Sequence, residues 1–228
     1  MIRGIIFDMD GVIFDTEWLS TCAWLEVGKQ LNIDLPLSFI NSFKGCSAKT
    51  SEALFKERFG EDFDYVSARA KRTQYMKESI SQKGVPIKKG LFQLLDYLQE
   101  NQIKSVVATS TDRKLAEFYL NSTGVLSYLD DMITGDCVEK SKPDPEIFIK
   151  AKQLIELEAE ECFVIEDSPA GIYAGEAAGI RVIHIPDQVV VNQMVKSKIY
   201  KICNNLAEVI KVIENENRKK DGGKNEHI

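Results

Sequence analysis

The chain has no apolar run long enough to span a bilayer, no basic excess and no C-x-x-C pair. The first absence excludes a membrane-crossing helix. Arg3 stands at the start of a strand-like run, so no secretory leader is expected. A net charge of −6 and a pI near 5.2 argue against a general nucleic-acid binder, which carries basic excess. The five cysteines (Cys22, Cys46, Cys137, Cys162, Cys203) are scattered and odd in number. They read as reduced packing residues of a cytoplasmic protein rather than a zinc site or disulfide framework. No internal repeat is visible, and strand-like runs are missing from about residue 16 to 84. A dinucleotide fingerprint is missing too. Gly171, Gly175 and Gly179 fall within and at the end of a helical stretch, not in the turn before it.

What is present is an ordinary globular composition, 44% hydrophobic and 28% charged, on 228 residues. That length suits one domain with a sizeable insertion. Trp18, Leu19, Cys22, Leu25 and Leu31 recur at helical spacing over residues 16–33, with Asp15 or Thr16 as the cap. Further helices are predicted from Pro36 to Phe43, Ser51 to Phe59 and Val66 to Ile80, with a turn at Lys44-Gly45-Cys46-Ser47. From Gly90 helices alternate with apolar strands at 104–109, 132–134, 162–166, 181–185 and 199–202, after a first strand at Gly4-Ile5-Ile6-Phe7. Such alternation predicts an α/β fold, a Rossmann-like parallel sheet with helices on both faces. The expected organisation is a core of residues 1–15 and 85–215, an all-helical cap of 16–84, and a mobile polar tail of 216–228 after a closing helix from Leu206 to Ile213.

The chemistry gathers at strand ends, where open parallel sheets bind their ligands. Asp8 and Asp10 follow the first strand at i, i+2 spacing and point into one space if the chain stays extended. Two acids there call for a positive partner, and a hard cation such as Mg²⁺ is the natural one. Thr109-Ser110-Thr111 follows the next strand at a helix start, where hydroxyls and free amides would receive a phosphate. Lys142, in Lys142-Pro143-Asp144-Pro145, is placed by two stiffening prolines so that it could face the carboxylates, while Lys140 belongs to the surface. Glu166-Asp167-Ser168 ends the strand Phe163-Val164-Ile165. Four carboxylates facing one space are unstable without a metal or buried cation.

Asp8-Met9-Asp10-Gly11-Val12 resembles the nucleophile motif of the haloacid-dehalogenase superfamily of phosphatases and phosphoglucomutases, and the later motifs extend the resemblance over nearly the whole chain. The resemblance implies that Asp8 accepts the phosphoryl group and that Asp10 serves as general acid and then base. It implies Mg²⁺ on Asp8, the Asp10 backbone carbonyl and Asp167, with Glu166 ligating or orienting. Thr109, the Ser110 amide and Lys142 would hold the transferring oxygens. The helical insertion resembles the small cap of the β-phosphoglucomutase-like branch, with Thr16, Ser20, Ser47, Lys49, Lys71 and, from the core, Arg113 as expected substrate contacts. Two positions depart from the mutases: Ser20 stands for their catalytic cap histidine, and Ala48, with Lys49 beside it, for their cap arginine. The expected activity is therefore Mg²⁺-dependent hydrolysis of a small phosphorylated metabolite (sugar, polyol or nucleoside monophosphate) by a monomer. A mutase is the alternative, and a receiver-like or phosphate-binding protein the non-enzymatic one.

Overall fold

The computed structural model describes residues 1–44 and 48–222. The chain forms two compact units, one of Met1–Phe14 with the segment from Ile87 onward, the other Asp15–Pro86.

The first unit is built on a parallel sheet whose six strands are β1 (Gly4–Phe7), β2 (Lys104–Ala108), β3 (Asp131–Ile133), β4 (Cys162–Glu166), β5 (Arg181–His184) and β6 (Ile199–Ile202). Their spatial order is β3-β2-β1-β4-β5-β6, every neighbouring pair parallel. β1 and β4 are buried at every residue. That is why they read as unbroken apolar runs rather than alternating ones. The chain builds outward from β1 to β3, then returns to lay β4 on the other side of β1. The crevice at that reversal is where such sheets hold ligands.

Helices cover both faces. α5 (Leu91–Glu100) buries Leu91, Leu94, Leu95 and Leu98, the i, i+3, i+4, i+7 stripe of an amphipathic helix. α6 (Arg113–Ser122) starts two residues beyond Thr111, with the Asp112 carboxylate accepting the Leu115 amide at 3.1 Å. α7 (Glu146–Leu154) and α8 (Pro169–Ala177) pack Ile147, Phe148, Ala151, Ile172 and Ala174 against Ile6, Val106 and Val164 of the sheet. A one-turn helix, α9 (Gln193–Lys196), precedes β6.

The mobile polar tail expected over 216–228 is corrected for its described part, residues 216–222, which are helical. α10 runs from Ala207 to Gly222, well past Ile213. Val209, Ile213 and Glu216 form one buried face. Glu216 accepts from Arg181 Nη1 at 2.5 Å, the Tyr200 hydroxyl at 2.6 Å and Lys219 Nζ at 2.7 Å, while Asn217 Oδ1 accepts the Ile2 amide at 2.6 Å. Polar side chains whose hydrogen bonds are met by the sheet order a segment that composition alone marks as mobile.

The second unit is helical: α1 (Thr16–Leu31), α2 (Leu37–Ser42), α3 (Ala48–Phe59) and α4 (Tyr65–Lys83). Asp15 occupies the N-cap position of α1, yet its side chain accepts no helix amide, contrary to the capping expectation. Phe55 is fully buried at the centre of an aromatic core, its ring centroid 4.9 Å from Trp24, 5.1 Å from Phe43 and 5.1 Å from Tyr65. Among the described residues no helix is long and apolar enough to cross a membrane.

Candidate active site

Register puts the acids together. Phe7 pairs with Ile165, and the Asp8 amide donates to the Ile165 carbonyl at 2.9 Å, so both strands release their next residues side by side. Asp8, Glu166 and Asp167 are all buried, with a carboxylate oxygen of each within 4.8 Å of the others. Lys142 reaches into this group with a side chain only 6% exposed. Its ammonium donates to Asp8 Oδ1, to Glu166 Oε1 at 2.8 Å and to the Ala108 carbonyl at 3.2 Å. The loop delivering it contains a cis Lys142–Pro143 bond. Lys140, by contrast, stays at the surface, 3.7 Å from Asp144.

Burial opposes the charge on Lys142, but Asp8 and Glu166 outweigh it and hold the proton on. Burial pushes the Asp8 carboxyl up. Lys142 pulls against that shift, while Glu166 and Asp10 add to it as like-charged neighbours. One ammonium therefore does not neutralise the group, and a divalent cation would. Oxygen donors at this spacing suit a hard cation. The backbone also keeps the space clear. Gly11 has a φ of +88°, and a Cβ there would meet the Asp167 carboxylate. A Cβ on Gly171 would fall on the Glu166 carboxylate. The residues present thus fit a bound divalent metal.

Glu166 is committed on both oxygens. Besides Lys142, it accepts the Ser168 amide at 2.7 Å and the Ser168 hydroxyl at 3.0 Å. Asp10 is half-buried and accepts the Thr111 hydroxyl at 2.7 Å. Thr109 is buried at the end of β2, its hydroxyl accepting the Thr111 amide at 3.1 Å, and Ser110 is exposed beside it. No sequence motif singles out Thr111 or Ser168 individually. Ser168 was legible as a cap before Pro169, and its hydroxyl does accept the Gly171 amide at 3.0 Å. Its second bond, to Glu166, needs the folded loop.

In the helical unit Thr16 and Ser20 are buried on α1, and the Ser20 hydroxyl accepts from Arg72 Nε at 3.2 Å and Nη2 at 2.6 Å. Arg72 gave no signal of this in the sequence. Lys49 on α3 and Lys71 on α4 are exposed. Arg113 pairs with Glu117 at 2.9 Å along α6, the ordinary arrangement of a helix surface. Ser47 lies outside the described residues.

The model of the haloacid dehalogenase-like hydrolases matches residues 5–185. The chain belongs to that family. The validoxylamine A 7'-phosphate phosphatase of Streptomyces hygroscopicus subsp. limoneus is 32% identical over 181 residues, covering 79% of this chain and 84% of the relative. The β-phosphoglucomutase of Bacillus subtilis is 28% identical, covering 78% and 81%. A crystal structure of a putative β-phosphoglucomutase from Thermotoga maritima superposes with a TM-score of 0.79 at 24% identity, over 94% of this chain and 99% of that one. This family member is a phosphoric monoester hydrolase, in keeping with the phosphatases among its relatives.

Proposed function

We propose that the protein hydrolyses the phosphate ester of a small metabolite, a sugar, polyol or nucleoside monophosphate, through an aspartyl-phosphate on Asp8. The observation that carries this reading is the buried group of Asp8, Lys142, Glu166 and Asp167 at the reversal point of the sheet. An Asp8 oxygen would attack phosphorus, the bond to the ester oxygen would break, and Asp10 would give its proton to the departing alcohol. Asp10, now a carboxylate, would take a proton from water as that water attacks the same phosphorus. The bond to Asp8 would then break, releasing inorganic phosphate and restoring both acids.

Thr109, the Ser110 amide and Lys142 would hold the transferring oxygens, where charge stabilisation does most of the work. Asp8, Asp167 and the Asp10 carbonyl would hold Mg²⁺, with Glu166 orienting Lys142. Bound there, Mg²⁺ would neutralise charge on the transferring group. Thr16, Ser20, Lys49 and Lys71 belong to a cap that we propose supplies substrate contacts. The described cysteines are free thiols, which suits a reducing cytoplasm.

The mutase reading draws support from the Bacillus subtilis relative. Ser20 stands where the mutases have a catalytic histidine, and its hydroxyl is engaged by Arg72, which favours hydrolysis. The deciding assay is phosphate release from a panel of sugar, polyol and nucleoside monophosphates, with Mg²⁺ or EDTA, using wild type and Asp8→Asn. Release that needs Mg²⁺ and vanishes in Asp8→Asn is expected. Conversion of β-glucose 1-phosphate to glucose 6-phosphate with a bisphosphate primer, without net release, would establish the mutase instead.

A further inference from the structure

Lys142 lies in the loop between the turn at Gly135–Cys137 and the start of α7, and that loop is tied shut at its base by one carboxylate. Glu146, the first residue of α7, accepts the Glu139 amide at 3.1 Å on each oxygen and the Lys140 amide at 2.9 Å. Lys150, one turn further along, pairs with the same carboxylate at 2.6 Å and donates to the Cys137 carbonyl at 2.8 Å. The Asp144 side chain accepts the Glu146 amide at 3.1 Å, closing the other side. Residues 137–140 are thereby fastened to residues 146–150, with Lys142 held in the span between.

We propose that Glu146 is a positioning residue for the reaction: its clasp on the Glu139 and Lys140 amides sets where Lys142 delivers its ammonium. The inference rests on the role given above to Lys142. Amides bound to a carboxylate make charge-assisted hydrogen bonds, stronger than neutral ones. The Lys142 ammonium must meet Asp8, Glu166 and the Ala108 carbonyl together, so a small shift of its backbone breaks at least one contact. Misplacement of about 1 Å at a catalytic group costs as much as ~10²-fold in rate. Lys150 and the amides of Lys140 and Glu139 hold the Glu146 carboxyl down at about 2, so the clasp persists across the neutral range.

The test compares wild type, Glu146→Gln and Lys142→Ala on p-nitrophenyl phosphate with Mg²⁺, alongside hydrogen exchange at the Glu139 and Lys140 amides. Expected for folded Glu146→Gln are a kcat lower by about tenfold or more, a nearly unchanged KM, and faster exchange at those two amides. Should that variant not fold, Glu146→Asp, which keeps the charge and withdraws it by one methylene, is read by the same criteria. Wild-type kcat, a loss confined to KM, or unchanged exchange would overturn the role of Glu146 while an impaired Lys142→Ala leaves the site reading standing. An unimpaired Lys142→Ala, or no turnover by wild type of either p-nitrophenyl phosphate or the ester panel above, overturns both.

Discussion

At the scale of single residues, the site depends on side chains that are missing as much as on those present. Gly171, in the first turn of α8, has no Cβ, and the Glu166 carboxylate occupies the space a Cβ would fill. Glu166 is 1% exposed and cannot retreat into solvent. Gly171→Ala is therefore expected to push Glu166 off Lys142. The overpacking should cost about 1–3 kcal/mol of stability, and the displaced lysine up to ~10²-fold in kcat. Phosphate release together with urea unfolding checks this, and an alanine variant with wild-type turnover would show that Glu166 does not hold the lysine. Asp8 and Asp10 stand out in the sequence because acids, hydroxyls and a lysine recur at the later strand ends; an isolated Asp-x-Asp is common. Thr111 does not stand out, because its bond to Asp10 spans 101 positions of sequence.

Among the elements, α10 shows how a polar sequence earns order from its surroundings. Hydrogen bonds from Lys219 and Tyr200, joined by Arg181, hold the Glu216 carboxyl down at about 2, against an ordinary 4.5. A carboxyl depressed in the folded state stabilises fully above its ordinary value, and that contribution is lost as pH falls from about 4.5 towards about 2. Glu216→Gln should lose stability at neutral pH and show a shallower decline across that acid window. Denaturant midpoints measured from pH 7 to 2 follow the difference. Parallel slopes for the two proteins would mean that Glu216 is not the group responsible. Apart from the one-turn α9, the remaining helices were readable in the sequence, as α5 illustrates with Leu91, Leu94, Leu95 and Leu98. The short turns at Val125–Tyr128, Gly135–Cys137 and Ala159–Glu161 were not, since three or four residues carry no period.

For the whole molecule, three buried acids facing a single ammonium would couple stability to a bound divalent cation. A ligand at 100 times its dissociation constant that binds only the folded state adds about 2.7 kcal/mol. Mg²⁺ is accordingly expected to raise the melting temperature of wild type, and to do so far less in Asp167→Asn. EDTA should abolish turnover while leaving the circular dichroism of the folded chain intact. Equal shifts in both proteins would move the metal away from Asp167.

The sequence by itself determined the alternation of strands and helices, the strand ends that carry acids, hydroxyls and lysine, and the family those motifs resemble. Each is a local pattern, set by side-chain period or by neighbours a few positions away. Only the tertiary structure decided that Phe7 lies against Ile165, that Lys142 lies between Asp8 and Glu166, that Arg72 grips Ser20, and that α10 continues to Gly222. Those contacts join residues that are distant along the chain. Burial, charge and hydrogen bonding assign them their partners only once the sheet has brought its strand ends together and the helices have packed.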